Sequence, residues 1–142
     1  MIEVVNRQRR VAVDAGRWRR LGERALKMIG VWEAGATVVF VSDRRMRELN
    51  RRWRGKRGTT DVLSFPAGAA EVGVKEPGAS LGDVVISVEQ AERQAAENGL
   101  TLDEEMAQLI LHGLLHLCGY DHETDAGEMN AVELRLRRRL GI

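Results

Sequence analysis

The stretch that decides the fold is Thr-Leu-Asp-Glu-Glu-Met-Ala-Gln-Leu-Ile-Leu-His-Gly-Leu-Leu-His-Leu-Cys-Gly-Tyr-Asp-His, residues 101–122. Thr101 and Glu104 form the capping-box pattern that begins a helix, and Gly119 tolerates the positive φ at which helices commonly end. Apolar residues occupy almost every face between them, namely Met106, Leu109, Ile110, Leu111, Leu114, Leu115 and Leu117. A helix that is apolar all round is buried, so we predict that it lies centrally in the domain.

All three histidines of the chain, His112, His116 and His122, fall in this stretch. On a helix His112 and His116 share one face, with Cβ atoms about 5–6 Å apart. A turn at Gly119 would bring His122 back towards them. A histidine pair at this spacing also arises by chance in ordinary cores, but the third histidine favours a metal site. Burying two imidazoles in so apolar a helix is unfavourable unless their nitrogens are occupied, and a metal ion occupies them.

Three neutral imidazoles predict a zinc site with an open position. Zinc held by three histidines at about 2.0–2.1 Å keeps its fourth tetrahedral position for water, as catalytic zinc sites do. Cys118 lies two residues from His116 and therefore faces elsewhere on the helix. We expect Cys118 to be a small buried side chain rather than a ligand.

The composition predicts one globular domain over residues 1–142. The chain is 44% hydrophobic and 30% charged, and it is long enough to bury a proper core. Its single cysteine excludes an internal disulfide and fits a reducing compartment. No apolar run approaches the roughly 20 residues of a membrane span, and the first residues contain no signal-peptide core. We therefore expect a cytoplasmic protein.

The net charge of +1 hides a strong asymmetry along the chain. Residues 1–57 carry 16 basic and 6 acidic side chains, whereas residues 58–134 carry 2 basic and 15 acidic ones. The basic residues are densest in residues 44–57, where Glu48 is the single acid. Such a segment suits an anionic partner such as RNA, although a solvated helix face would have the same composition.

Hydrophobic periodicity and turn residues predict an α+β fold with a mixed four-stranded sheet and about five helices. The predicted strands cover residues 2–5, 36–41, 59–66 and 82–87. The predicted helices cover about residues 14–29, 43–53, 88–98, 102–117 and 125–140. Ser87 and Gln90 form a capping-box pattern at the start of the third of these helices. Residues 36–41 are β-branched and nearly all apolar, which predicts a central strand covered on both faces. Residues 66–80, with both prolines, are expected to form a loop.

Two further expectations concern side chains of the first two helices. Trp18 falls on the apolar face of the first helix and is expected in the core. In the second helix we expect Met46, Leu49, Asn50 and Trp53 on the inner side.

The histidine spacing, His-x3-His-x2-Gly-x2-His, is also that of the metzincin zinc proteases. In those enzymes a glutamate that acts as general base follows the first histidine. This chain has Gly113 at that position. Because general-base catalysis commonly contributes a factor of about 10²–10⁴, a peptidase is a minor alternative.

Three blocks of the sequence resemble the YbeY family, the endoribonucleases of ribosomal RNA maturation. The first runs from Leu49-Asn50 through Trp-Arg-Gly-Lys (53–56) into Thr-Asp-Val-Leu-Ser-Phe-Pro (60–66). The second is Leu-Gly-Asp-Val-Val-Ile-Ser (81–87), and the third is the histidine stretch. The resemblance implies a compact α+β fold, zinc on His112, His116 and His122, and a functional arginine that maps to Arg54.

On this resemblance we hypothesise a zinc-dependent endoribonuclease that acts on single-stranded RNA. Late 3′-end maturation of small-subunit (16S) ribosomal RNA and ribosome quality control are its expected setting, and the small subunit with its assembly factors are its expected partners. Arg54 would hold the scissile phosphate as the catalytic arginine, because a guanidinium binds phosphate through two hydrogen bonds. The residues expected to contact RNA are Arg51, Arg54, Lys56 and Arg57. Asp121 is expected to orient a histidine by a hydrogen bond.

Two alternatives remain open at the level of sequence. The protein could be a non-catalytic RNA-binding or ribosome assembly factor with structural zinc, or it could be a zinc peptidase. Arg54 could also be one more surface charge, and residues 60–65 no more than a strand. Asp61 and Glu123 are available as acids or bases, but the sequence places neither of them at the metal.

Overall fold

The computed structural model describes residues 1–31, 33–67, 80–121 and 123–142. Most of the loop expected over residues 66–80 therefore lies outside the described residues. No helix in the described part of the chain is long and apolar enough to cross a membrane. The described elements are β1 (Ile2–Asn6), α1 (Ala15–Ile29), β2 (Gly35–Val41), α2 (Asp43–Arg54), β3 (Val62–Pro66), β4 (Ser80–Ser87), α3 (Val88–Asn98), α4 (Leu102–Leu117) and α5 (Glu128–Leu140). They confirm the α+β class.

The strands form one mixed sheet in the order β1-β2-β4-β3. β1 pairs in parallel with β2, and β2 with β4, whereas β3 runs antiparallel to β4 at the edge. On β2 the residues Ala36, Val38 and Phe40 are buried, but Thr37 and Val39 are only half-buried. The expectation that β2 is covered on both faces therefore holds for one face and only in part for the other, on which Val41 is buried. The apolar cluster on that face is small and comprises Val41, Met46, Leu63 and Val85.

The ends of the helices follow the predicted capping residues. The hydroxyl of Thr101 accepts from the Glu104 backbone N–H, and the Glu104 carboxylate accepts from the Thr101 N–H, which completes the capping box of α4. Ser87 caps α3 by accepting from the Gln90 N–H, but the Gln90 side chain accepts from Arg93 instead of closing a second box. Trp18 is fully buried in the core, as expected.

α4 is the central helix, as predicted, and it packs against α1, α3, α5, β3 and β4. Gly113 lies where α4 passes over β4, and a Cβ built on it would overlap the side chain of Val84. The Ser64 hydroxyl of β3 donates to the Gly113 carbonyl at 3.1 Å. The helix therefore approaches the sheet so closely that only glycine fits at residue 113.

The expected inner side of α2 is correct for three residues and wrong for the fourth. Met46 and Asn50 are buried and Leu49 is half-buried. Trp53 is 62% exposed, because it lies in the last turn of α2, beyond the small apolar cluster. There it meets the ring of Phe65, with ring centroids 6.3 Å apart and planes at 75°.

The buried carboxylate of Asp43 joins α2 to its neighbours. It accepts hydrogen bonds from the hydroxyls of Thr59 at 2.5 Å and Ser87 at 2.9 Å, and from the Arg93 guanidinium at 2.6 Å. Burial raises the pKa of Asp43, but these hydrogen bonds and the charge of Arg93 lower it more, so the pKa lies below its ordinary value. The cluster fixes the segment that leads from α2 into β3.

Substitution of Gly113 by alanine tests the close approach of α4 to the sheet. In an exposed helix the change would stabilise by about 1 kcal/mol. Here we expect a loss of about 1–3 kcal/mol in the free energy of unfolding, because the new methyl group overpacks against Val84. Urea unfolding measures it, with Gly16→Ala in α1, where the nearest contact is the flexible end of Arg20, as the matched control.

In the double variant Gly113→Ala/Val84→Ala, the alanine methyl takes up space vacated by Val84. The loss in the double variant should therefore be smaller than the sum of the two single losses. Wild-type stability in Gly113→Ala, or strict additivity of the two changes, would contradict the packing described.

The Asp43 cluster predicts a pH-dependent stability. At neutral pH we expect Asp43→Asn to lose about 1–3 kcal/mol, because buried hydrogen bonds to a carboxylate are removed. The folded-state pKa is depressed, so the stabilisation is complete above the ordinary value of 3.8 and is lost as the pH falls through the folded-state pKa. Urea unfolding at several pH values should show the gap between the two proteins closing on acidification. Exposed Asp103→Asn is the control, and a gap that widens in acid would contradict the prediction.

Candidate active site

α4 presents His112 and His116 on one face, as their spacing predicts. Their Nε2 atoms are 3.1 Å apart, and the two rings meet edge to face with centroids 4.7 Å apart. Both side chains are half-buried and both line a cavity of about 470 Å³. The two imidazole nitrogens thus converge at the wall of an open cleft.

Glu133 of α5 holds His112 from behind. Its Oε1 lies 2.6 Å from His112 Nδ1, and its Oε2 accepts from the Arg137 guanidinium at 2.7 Å. Burial raises the pKa of Glu133, but the hydrogen bond with His112 and the charge and hydrogen bond of Arg137 lower it more, so the pKa lies below its ordinary value. A carboxylate at Nδ1 favours the tautomer with the proton on Nδ1, which leaves the lone pair of Nε2 directed at the cleft.

The donor set fits a metal such as zinc. Two nitrogens bound to zinc at about 2.0–2.1 Å in tetrahedral geometry lie roughly 3.3 Å apart, close to the observed Nε2 separation. Carboxylate–histidine pairing behind the ligand is usual at such sites. Among residues 1–31, 33–67, 80–121 and 123–142, no group of three or more His, Cys, Asp or Glu side chains is placed to hold an ion.

The predicted third ligand, His122, lies outside the described residues, so its role stays a prediction. Gly119 precedes it with φ +98°, in the left-handed region, as predicted for the end of the helix. Cys118 packs against the main core but is half-buried, whereas a buried side chain was expected.

Arg54, at the end of α2, lines the same cleft as the two histidines. The other arginines that were expected to contact RNA lie elsewhere. Arg51 and Arg57 line a separate cavity of about 600 Å³, whose remaining walls are Arg44, Arg47, Glu48 and Gly58. Lys56 is exposed. Only Arg54 of the four is brought to the histidines.

In the described part of the chain the carboxylates of Asp61, Asp121 and Glu123 also line the cleft. Asp61 Oδ1 accepts from the Val62 N–H at 2.8 Å and from the Thr60 hydroxyl at 3.2 Å. The carboxylate of Asp121 accepts from the Glu123 N–H at 3.0 Å. The residue that orients His112 is Glu133, and an orienting role for Asp121 stays a prediction.

The close packing at Gly113 also bears on the peptidase alternative. The Cβ direction of residue 113 points at Val84 of β4, on the sheet side of α4. A glutamate at that position would be forced into the sheet instead of reaching the cleft. Position 113 of α4 therefore supplies no general base to the cleft.

A second cavity of about 530 Å³ adjoins the cleft and shares Asp61, Val62 and His112 with it. Glu105 lies in this second cavity, where burial and the negative charge of Asp61 raise its pKa. With its amide nitrogen turned towards them, Gln94 donates to Asp61 Oδ2 at 2.9 Å and to Glu105 Oε1 at 3.1 Å. The two acids are therefore joined through one amide beside His112.

Sequence reasoning missed Glu133 as a site residue. Its signal was present, because an acid stands at position 133 between Met129 and Leu136, on the side of α5 that faces the core. A charged residue on an apolar helix face requires a buried partner. The sequence could not identify that partner as His112, since the two residues are 21 positions apart.

The chain matches the family model for "Endoribonuclease YbeY" over residues 3–141. It is 48% identical over 127 residues to an endoribonuclease YbeY of Myxococcus xanthus, an alignment that covers 88% of this chain and 42% of that protein. It is 38% identical over 138 residues to the endoribonuclease YbeY of Geobacter metallireducens, covering 97% of this chain and 91% of that protein.

A solution structure of a Thermotoga maritima protein matches the fold with a TM-score of 0.66 and 26% identity. The match covers 99% of this chain and 89% of the Thermotoga chain. The family model, the relatives and the fold agree with the family that the three sequence blocks indicate. This chain belongs to the YbeY endoribonuclease family.

Proposed function

We propose that this protein is a zinc-dependent endoribonuclease that hydrolyses single-stranded RNA, in late 3′-end maturation of 16S ribosomal RNA and ribosome quality control. Family membership supports the reaction class. The observation that carries the proposal is that Arg54 lines the same cleft as His112 and His116, whose Nε2 atoms converge. Imidazole nitrogens suit zinc, and a guanidinium suits the phosphate of an RNA backbone.

His112 and His116, with His122 as the predicted third ligand, are the residues that would hold the metal. Bound there, zinc supplies a Lewis acid for a phosphoryl oxygen and lowers the pKa of water towards about 7. Glu133 keeps the proton of His112 on Nδ1 through its 2.6 Å contact, so that the lone pair of Nε2 can bind the metal. Arg137 in turn holds Glu133, which fixes the carboxylate on the side of α5.

Arg54 has the role of binding the phosphate. Its planar guanidinium can donate two hydrogen bonds to non-bridging oxygens and oppose the negative charge that grows in the transition state. Asp61 and Glu123 line the same cleft and are the carboxylates that can accept or return a proton during hydrolysis. The missing glutamate at residue 113 makes hydrolysis of peptides a poorer fit to this cleft.

The charge distribution supports an RNA strand that approaches along α2. Arg51 and Arg57 lie on another cavity and Lys56 is exposed, so in this proposal they contact the backbone away from the scissile phosphate. Binding would then weaken as the salt concentration rises, because each phosphate contact releases counterions. The small ribosomal subunit with its assembly factors as partners, and the cytoplasm as location, remain parts of the proposal.

RNA cleavage by the zinc-loaded protein tests the proposal. We expect Arg54→Ala to lower kcat/KM by a factor of about 10² or more, because the transition state loses a charged hydrogen-bond donor. His116→Ala should lose both metal and activity. Arg45→Ala is the matched control, since Arg45 is exposed on the same helix, pairs with Glu48 and lines neither cavity. Circular dichroism verifies the folding of each variant.

Each rival function has its own outcome in this experiment. Peptide cleavage without RNA cleavage would establish a peptidase. Intact RNA with folded, zinc-loaded wild-type protein, together with unfolding of His116→Ala, would favour a binding factor with structural zinc. Equal cleavage by wild type and Arg54→Ala would remove Arg54 from the mechanism.

Zinc affinity tests the role of Glu133 separately from activity. We expect Glu133→Gln to weaken zinc binding by about 10–100-fold, because His112 loses the carboxylate that orients it. Competition with a chromophoric chelator measures the affinity, and Glu97→Gln, an exposed acid on α3, is the control. Unchanged affinity in folded Glu133→Gln would show that the carboxylate does not support the ligand.

A further inference from the structure

The described part of the chain exposes three large hydrophobic side chains, and Trp53 is the aromatic one among them. The others are Met1 and Leu134, and Trp18 is fully buried. With 62% of its surface exposed, the indole gains little from packing in the core. Tryptophan is enriched at binding sites, where its large flat ring contacts a ligand.

Trp53 directly precedes Arg54, and Arg54 lines the cleft that holds the two histidines. The Trp53 ring contacts Phe65 of the edge strand β3. Because side chains alternate along a strand, Phe65 lies on the opposite face of β3 from Ser64 and Pro66, which line the cleft. The indole therefore lies beside the cleft, on the other face of β3, and Arg54 is the residue that connects the two.

The edge contact with Phe65 anchors the indole, and its surroundings are basic. The Arg52 guanidinium lies 5.5 Å from the centroid of the indole ring. The last turn of α2 carries Arg51, Arg52 and Arg54. Aromatic rings interleaved with arginines make up the surfaces on which proteins bind single-stranded nucleic acid, because bases stack on the rings while cations hold the phosphates.

We propose that Trp53 is a stacking platform for the base of a nucleotide next to the phosphate bound by Arg54. This inference rests on the proposed cleavage of single-stranded RNA in the adjoining cleft. Stacking on Trp53 requires an unpaired base, so the platform selects single strands over duplexes. It is tolerant of sequence, since every base has a face to stack.

Binding of a short fluorescein-labelled single-stranded RNA tests the platform. Anisotropy is measured with zinc-loaded protein at low temperature, and a gel verifies that the RNA is intact. We expect Trp53→Ala to weaken binding by about 5–140-fold, from 1–3 kcal/mol per stacked base at 1.4 kcal/mol per factor of ten. Trp53→Phe should retain most of the affinity. Leu134→Ala, an exposed apolar residue on α5, is the control.

An abasic RNA of the same length separates stacking from other roles. On that RNA we expect wild type and Trp53→Ala to bind equally. Base-containing RNA should also quench the tryptophan emission of wild type more than that of Trp53→Phe. Wild-type affinity of Trp53→Ala for base-containing RNA would overturn the platform. An equal loss on both RNAs would overturn it too, and would assign Trp53 to the shape of the cleft or to contact with a protein.

The same experiment distinguishes this inference from the proposed function. If wild type does not cut RNA while the base-dependent loss at Trp53 persists, the catalytic proposal fails and the platform is supported. If wild type cuts RNA and Trp53→Ala binds and cuts it equally well, the platform alone fails.

Discussion

The structure depends on the contact between α4 and β4 at Gly113. A backbone without a side chain at this point lets the buried helix lie directly on Val84, and the Ser64 hydroxyl ties the helix carbonyl to β3. The rotation of α4 about its axis is thereby set, with residue 113 towards the sheet and His112 and His116 towards the cleft. Gly113 is the residue that distinguishes this motif from that of a metzincin. It leaves out the carboxylate that a metzincin has at this position, and it also allows α4 to pack closely against β4.

A buried helix that carries polar residues needs partners for them, and the fold supplies these from distant parts of the chain. α5 brings Glu133 to Nδ1 of His112, while the end of α2 brings Arg54 into the lining of the cleft. The Asp43 cluster holds α2, β4 and α3 together at the start of the segment that leads into β3. The proposed chemistry relies on these three placements.

Much of this arrangement could be predicted from the sequence, because it depends on local patterns. The helix ends followed from Thr101, Ser87 and Gly119, and the central position of α4 followed from its apolar faces. The close histidine pair followed from helical spacing. Long-range placement could not be predicted, as Glu133 shows, since no local pattern states which distant group a buried acid will meet.

The basic segment shows the other limit of sequence reasoning. Its charges are plain in the sequence, but a helix distributes neighbouring residues around its circumference. Arg54 therefore faces the histidines while Arg51 and Arg57 line another cavity. Trp53 was expected inside because its spacing from Asn50 fits the apolar face, yet the small cluster beneath α2 does not extend to it. Periodicity gives the direction of a side chain but not the extent of the surface it faces.

The central claim is that the metal and Arg54 act on one phosphodiester in one cleft. A crystal structure of the zinc-loaded protein with single-stranded RNA, phased to show the anomalous signal of zinc, tests it directly. The claim predicts one zinc peak bonded to Nε2 of His112 and His116, with an RNA phosphate between that peak and the Arg54 guanidinium. Zinc elsewhere, or RNA bound with no phosphate near Arg54, would contradict it.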